Sequence, residues 1–407
     1  MKCTSRTFPA QVEASWRDEP HATEARVHAE GALNDAQWLD VRCSGPARPG
    51  SVAFHAPTAV WQAPGGGETQ LIRTARALED LGVRVRPWVA WRDRLDPQVF
   101  RCLHLFGLSR EGLELARIAR VRGVKLAVSP ICWYEPRSLW KLSPHPLAGF
   151  QAVTAWVWRR SGAARLTRSC WRTELLNLAD IVLPNSQLEA EQLRLVFGVD
   201  SQRLVPVPNG IEPRRFTKAD PELFRRQVGW ESYVLYAGRI EPRKNPLGLI
   251  RALSRCEAKR LPLVILGSVV PGHENYADQV ARAIDQRGTE RTRWLRGITH
   301  DDPLLASAMA AARVVALPSW FETPGLAALE AAAAGAAVVV TPYGSTREIF
   351  GDWVRYARPE DREGLAREVT AAWLEGAPVG LAEWVTSRYA WSETARLTRE
   401  AYDRITA

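Results

Sequence analysis

The segment Pro318-Ser-Trp-Phe-Glu-Thr-Pro-Gly-Leu-Ala-Ala-Leu-Glu330 places two carboxylates, Glu322 and Glu330, eight residues apart across an expected strand-to-helix turn. Pro324 suits a first helical position, and Gly325 and Leu326 leave backbone N–H groups open at the positive end of a helix dipole, which favours an anion. Glu322 then stands in the loop beside that anion. Glu330 lies on the helix, roughly 9 Å beyond Pro324 at ~1.5 Å per residue. One acid near a reacting sugar and another near a more distant diol is a division of labour that fits a nucleotide-sugar donor. Taken singly, each glutamate also fits a solvated helix charge.

Two further segments add chemistry. Gly238-Arg-Ile-Glu-Pro-Arg-Lys-Asn245 follows an apolar run and precedes a helix expected near Pro246. Its Arg239 offers a planar fork and its Lys244 a compact charge, a pairing suited to diphosphate oxygens. Gly65-Gly66-Gly67 resembles a dinucleotide fingerprint only in part. The third glycine position is Gln70, and the next strand ends at Arg86-Pro-Trp88, where a ribose-binding acid should stand. The spacing leaves a flexible loop through which backbone N–H groups approach a phosphate or a sugar.

These segments need a scaffold, and the rest of the chain supplies one. With 407 residues, 46% apolar and 24% charged, the chain is globular and long enough for two domains. Short apolar runs alternate with helical periodicity. Strands are expected at 51–56, 83–88, 101–106, 125–129, 180–184 and 204–207, with helices at 68–81, 110–121 and 189–197 between them. Pro208-Asn-Gly210 reads as a turn and hinge. A second series has strands at 233–237, 263–266, 293–295, 314–317 and 337–341, and Ser345-Thr-Arg-Glu348 has the form of a capping box. The expected fold class is α/β, two Rossmann-like doubly wound domains facing a central cleft. Residues 1–49, with little periodicity, form an N-terminal extension; 50–211 form the first domain and 212–387 the second, with a last segment at 388–407.

Six scattered cysteines with no C-x-x-C pair suggest neither a zinc site nor a disulfide framework, and point to a reducing cytoplasm. The first fifteen residues lack the apolar core of a signal peptide, and no uncharged apolar run reaches the ~18 residues of a membrane span. Net charge is +9, and residues 133–172 carry much of it: Arg137, Lys141, Arg159, Arg160, Arg165, Arg168 and Arg172 against Glu135 alone. The same stretch holds Trp133, Trp140, Trp156, Trp158 and Trp171. Arginine with interfacial tryptophan suits an anionic membrane surface, here the inner face. A solvated excursion with inward-packed tryptophans fits as well. Nucleic acid is not expected, because no helix-turn-helix, zinc finger or RNP-type signature accompanies the charge.

Taken together, Tyr236-Ala-Gly-Arg-Ile-Glu-Pro-Arg-Lys-Asn245, Pro208-Asn-Gly-Ile211, Pro184-Asn-Ser186 with Glu189, and Pro318-Ser with the two spaced glutamates resemble glycosyltransferase family 4, retaining enzymes of the GT-B fold. The resemblance runs from about Ser51 to the C-terminus. It implies a metal-independent hexosyltransferase with no cofactor beyond its nucleotide-sugar co-substrate, and a last helix that crosses back onto the first domain. It implies that Arg239 and Lys244 bind the donor diphosphate and Glu322 the hydroxyls of the transferred sugar. Gly238, Gly325, Leu326, Gly66 and Gly67 then line the donor, with Glu330 on the ribose and Gly297-Ile298 near the base. Where family members often carry a histidine beside the sugar, this chain reads Ser129-Pro130-Ile131-Cys132-Trp133, and no histidine is assigned. His104, one strand earlier, is expected to pack in the core. The implied mechanism is same-face transfer, with the departing diphosphate taking the acceptor proton while the two cations stabilise it. The expected acceptor is a glycan or lipid-linked intermediate of a cell-envelope polysaccharide. The alternatives are a sugar phosphorylase of the same fold, for which a ribose contact by Glu330 is pointless, and a non-catalytic sugar- or membrane-binding protein.

Overall fold

The computed structural model describes residues 35–62, 65–160, 170–255 and 257–406. Arg165 and Arg168 of the basic stretch, and most of the N-terminal extension, lie outside the described residues. The first domain has five parallel strands, β1 (Ser51–His55), β2 (Val85–Pro87), β3 (Phe100–Phe106), β4 (Lys125–Ser129) and β5 (Ile181–Val182), in the order β2-β1-β3-β4-β5. Its helices are α1 (Asp35–Ser44), α2 (Gly66–Asp80), α3 (Arg110–Arg122), α4 (Pro136–Lys141), α5 (Pro146–Arg160), α6 (Trp171–Leu178) and α7 (Gln187–Phe197). The second domain has six parallel strands, β6 (Val234–Ala237), β7 (Leu263–Leu266), β8 (Thr292–Leu295), β9 (Val314–Leu317), β10 (Ala337–Val340) and β11 (Arg355–Tyr356), in the order β11-β10-β9-β6-β7-β8. Its helices are α8 (Pro213–Thr217), α9 (Pro221–Val228), α10 (Pro246–Leu253), α11 (Glu274–Arg287), α12 (Pro303–Ala311), α13 (Leu326–Ala333), α14 (Thr346–Phe350), α15 (Arg362–Glu375) and α16 (Leu381–Arg388).

β6, β7, β9 and β10 are apolar and buried at every position. Continuous Val, Ile and Leu, without alternation, mark parallel strands covered by helices on both faces. The last helix, α17 (Trp391–Thr406), leaves the second domain and buries Trp391, Ala395, Ala401 and Tyr402 in the same cluster as Val52, Phe54, Leu71 and Leu78 of the first. His104 is a core residue, as its strand position implies. Its Nδ1 meets Tyr402 Oη at 2.6 Å and its Nε2 meets Ser129 Oγ at 2.9 Å. Burial pushes its pKa down to about 3, so the ring is neutral.

Several local expectations need correction. Residues 204–207 do not form a strand; they contribute a single bridge, Leu204 to Val182, before the chain crosses to the second domain. Pro208-Asn-Gly210 is packed, not loose. A Cβ on Gly210 would overlap the backbone of Ala390 and Trp391, and Thr394 Oγ1 donates to Pro208 O at 2.7 Å. The end of the extension is also structured. Trp38 is buried, its Nε1 donating to Glu79 Oε2 at 3.1 Å, and one buried apolar residue leaves no periodic pattern. The expected capping box at Ser345 does not close. Ser345 Oγ lies 2.7 Å from Ser186 Oγ, and Glu348 accepts from the N–H groups of Gln187 and Leu188 at 2.7 and 2.8 Å, so both residues serve the junction between domains.

Glu189 joins the loops after β4 and β5, accepting from the N–H of Cys132 and of Asn185, each at 2.8 Å. Burial pushes its carboxyl up to about 7, against these two bonds and with Glu348 nearby adding to the rise. A pKa raised on folding stabilises the fold fully below the ordinary value of 4.5 and is lost as pH climbs through about 7. Unfolding free energy should therefore decline over that window with a slope of up to about 1.4 kcal/mol per pH unit from this group. Denaturant titrations from pH 4.5 to 8 on the wild type and Glu189→Gln should show that component missing in the variant; parallel pH profiles would refute it.

Candidate active site

The order of the second sheet reverses between β6 and β9, and ligands in such sheets sit outside the carboxyl ends of strands at that switch. The loop after β6 is Gly238–Asn245, and the loop after β9 is 318–325. Neighbouring strands thus deliver both charged segments to one place. Asn245, with φ 56°, caps α10, accepting from Gly248 N and donating from Nδ2 to Pro318 O at 3.2 Å, so one side chain ties the two loops together.

Lys244 Nζ lies 2.7 and 2.9 Å from the two oxygens of Glu322, and Ser319 Oγ donates to Glu322 Oε1 at 2.5 Å. Both charges are withdrawn from water, with side chains 22% and 6% exposed. Burial raises the Glu322 carboxyl, but Lys244, Arg243 and Ser319 outweigh it and hold the group below its ordinary value, hence ionised. Burial lowers the Lys244 amine in spite of Glu322. The sequence assigned these two residues to different parts of a ligand; the structure places them in direct contact.

The Glu322 backbone is fixed from β10. Its N–H donates to Tyr343 O at 3.2 Å, and its carbonyl accepts from Ser345 N at 2.8 Å. Gly344, at φ +93°, passes so close that a Cβ would collide with the Glu322 carbonyl. Pro324 is not the first helical residue as expected. Gly325 is the N-cap, in the left-handed region at φ 65°, and α13 starts at Leu326. Left-handed backbone is what turns the chain from loop to helix, and it displaces the start by two residues.

Arg239 reaches across the cleft. Its guanidinium atoms lie 3.1–3.2 Å from where a Cβ on Gly65 would stand, and its Nη2 is 3.7 Å from Glu241. Gly66 and Gly67 are not in a loop but in the first turn of α2, because Glu68 turns back to accept from Gly65 N at 2.6 Å and starts the helix earlier. A Cβ on Gly66 would lie 3.8 Å from Leu326, and one on Gly67 3.7 Å from Ile131. Leu326 itself packs on the core of the first domain. Glu330 is buried on α13, and its Oε1 meets His300 Nε2 at 2.7 Å. Ile298, in the loop after β8, packs half-buried against the second core. Gly238 continues β6, its N–H donating to Leu266 O at 3.0 Å.

Other contributors were not assigned a role from the sequence. Gly65, Arg243, Tyr343 and Gly344 acquire their roles from distant partners; Ser319 had a local signal, three residues before Glu322. Asp35, His300 and Asp301 bring ligand atoms within 4.8 Å of one another, close enough for a cation, but the guanidiniums of Arg73 and Arg76 already share Asp35, and Arg73 also holds Asp301. Asp302, next in the chain, caps α12, accepting from Leu304 N at 2.9 Å. Chemically, the site offers an anion two cations at the mouth of the switch, and offers hydroxyl groups two buried carboxylates on the same loop and helix.

Residues 222–388 match the family described as Glycosyl transferases group 1. The O-antigen chain mannosyltransferase B of Escherichia coli is 30% identical over 243 residues, covering 56% of this chain and 62% of that protein. A D-inositol 3-phosphate glycosyltransferase of Stackebrandtia nassauensis is 26% identical over 371 residues, covering 76% and 80%. The chain thus spans less than two thirds of the Escherichia coli relative. Among solved structures, Anabaena HepE in complex with UDP superposes with a TM-score of 0.62 at 18% identity, over 87% of this chain and 100% of that one. The sucrose-phosphate synthase of Thermosynechococcus elongatus gives 0.66 at 17%, over 87% and 99%. The fold is GT-B, two Rossmann-like parallel-sheet domains, and the match to the group 1 glycosyltransferase model lies within the second of them.

Gly344→Ala should destabilise the protein by more than about 1 kcal/mol, since alanine is strained at positive φ and here also meets a carbonyl. It should also lower donor binding by shifting Glu322. Thermal unfolding together with nucleotide titration checks both, and a variant normal in each would show that the loop is not held this way.

Proposed function

We propose that the chain is a retaining, metal-independent glycosyltransferase of family 4 that moves a hexosyl group from a nucleotide sugar to a glycan or lipid-linked acceptor at the cytoplasmic face of a membrane. The observation that carries this reading is the buried Lys244–Glu322 pair at the sheet's switch point, with Glu330 on the helix that follows. An incoming diphosphate competes with Glu322 for Lys244 and draws in Arg239 of the same loop, whose guanidinium lies at Gly65 across the cleft. Glu322, released from part of its pairing, accepts hydroxyls of the transferred sugar. Charge that develops on the departing diphosphate is met by cations already in place, the arrangement that lowers a barrier most.

Glu330 and the loop at Gly297-Ile298 receive the nucleoside, and Gly66, Gly67, Gly238 and the N–H groups of Gly325 and Leu326 complete the donor's walls. A buried carboxylate ready for a ribose favours a nucleotide donor over inorganic phosphate, and so a transferase over a phosphorylase. The Escherichia coli relative's name specifies a mannosyltransferase acting on O-antigen chains, and the HepE structures hold UDP, or UDP-glucose. The first supports an envelope-type glycan as acceptor and the second a nucleotide-sugar donor.

Membrane contact rests on α5. Leu147, Phe150 and Val157 are 62%, 59% and 53% exposed along one helical face, with Trp140 and Trp158 about half exposed beside it. Lys141 precedes the helix and Arg159 and Arg160 end it, placing cations where anionic headgroups would lie. Trp133, Trp156 and Trp171 instead pack inward or hydrogen-bond locally, so the excursion divides its tryptophans between the two expectations. Among the described residues no helix is long and apolar enough to cross a membrane.

Release of nucleotide from UDP-, GDP- and ADP-sugars should identify one preferred donor. Lys244→Ala should lower turnover on it by on the order of 10²-fold; turnover near that of the wild type would remove the residue from the mechanism. Sedimentation with vesicles should show binding to anionic but not neutral lipid. Leu147→Asp with Phe150→Asp should cut that binding more than about tenfold, since each apolar side chain contributes ~1.5–3 kcal/mol when buried. Equal partitioning of this variant would place the membrane face elsewhere.

A further inference from the structure

Glu330 is gripped by a residue that is itself held from the other domain. His300, in the loop between β8 and α12, places Nε2 2.7 Å from Glu330 Oε1. A carboxylate only accepts, so Nε2 carries the hydrogen and Glu330 Oε2 is left for a ligand. The His300 loop is fastened on three sides. Arg215 of α8 donates to the carbonyl of His300 and, at 3.4 Å, to that of Asp302. Arg73 of α2, buried in the first domain, pairs with Asp301 and, at 3.4 Å, with Glu212. The N–H of Asp35, first residue of α1, donates to Asp301 Oδ2 at 3.0 Å.

Helix α1 is in turn pinned to α2, through Trp38 Nε1 and Arg42 to Glu79 and through the Asp35 carboxylate to Arg76 at 3.1 Å. A helix from the N-terminal extension therefore spans from the first domain to the loop of the second that holds His300. No hydrogen bond joins Arg73, Asp35 or Asp301 to Glu330 among the described residues; His300 makes the hydrogen bond, and the Arg215 guanidinium that holds its loop also faces the Glu330 carboxylate.

We propose that His300 is a positioning residue for the ribose-binding carboxylate of Glu330, and that α1 and Arg73, by clamping Asp301 from across the cleft, set the strength of ribose recognition. This rests on the donor reading above, in which Glu330 receives the ribose. Loss of His300 frees the Glu330 side chain to turn, so hydroxyl recognition weakens while phosphate and base contacts persist. Loss of Asp301 leaves His300 in place but loosens its loop, with a smaller effect of the same kind. The extension thereby acts on nucleotide selectivity without touching the nucleotide.

The test compares binding of a nucleoside diphosphate and its 2′-deoxy counterpart, with the base chosen by the donor panel, on the full chain by calorimetry. The wild type should prefer the ribonucleotide by about tenfold, the scale of one hydrogen bond to a charged group. His300→Ala should erase that preference with little change in affinity for the deoxynucleotide, His300→Asn should restore part of it, and Asp301→Ala should reduce it about threefold. Equal loss of both affinities in His300→Ala, with thermal unfolding unchanged, would assign His300 a general structural role and overturn the proposal. Full preference in Asp301→Ala would overturn the part played by α1 and Arg73. If the wild type binds the diphosphate without preference for the ribose, the positioning role is wrong though a phosphate site stands; if it binds no nucleotide at all, the donor reading fails first.

Discussion

Lys244 and Glu322 hold opposite charges out of water at the point where the second sheet reverses its strand order, and much of the surrounding architecture serves to keep them there. Withdrawing two ions from water costs several kcal/mol each unless the geometry and the remaining hydrogen bonds compensate. Ser319 supplies one of those bonds, Asn245 ties the two loops, and Tyr343, Gly344 and Ser345 fix the Glu322 backbone from the adjacent strand. An ion pair built this way is stable alone yet open to exchange, because an anion offered to Lys244 and hydroxyls offered to Glu322 replace what each gives the other.

The cleft is bridged on several sides. Arg137 of α4 donates to Glu360 at 2.9 Å and to Tyr343, Glu348 receives two N–H groups from the start of α7, and Arg73 takes Asp301. These contacts are polar and surround a small apolar meeting of Leu326 with the first core. Polar, partly solvated contacts separate at less cost than an apolar interface does. Two of them end beside the proposed chemistry: Tyr343 precedes the glycine against which Glu322 rests, and Asp301 follows His300.

Much of the fold was legible before any coordinates. Parallel strands buried on both faces are runs of Val, Ile and Leu bounded by glycine and proline, and most appear within a residue or two of where the periodicity places them. The failures have physical causes. Residues 204–207 look like a strand because they are apolar, but they serve as the crossover and have one bridge partner only. Ser345 and Glu348 satisfy a local rule for a helix start, yet better partners arrive from the other domain. α1 is held by one buried residue, Trp38, and by ion pairs from Asp35 and Arg42, none of which a periodic pattern can register.

Which loops carry charge, and which strands deliver them, follows from local residue pattern alone, since a glycine-bearing turn after an apolar run is a matter of backbone and solvent. Arg239, Lys244 and Glu322 stand in loops after strands for that reason, and Glu330 follows on the helix that the last of these loops opens. What each charge touches was decided only by the tertiary structure. Lys244 meets Glu322 across 78 residues of chain, and the Asp35 N–H meets Asp301 across 266. Pairing over such distances depends on the order of strands in the sheet and on the docking of one domain against another, and neither leaves a mark in the spacing of residues along the chain.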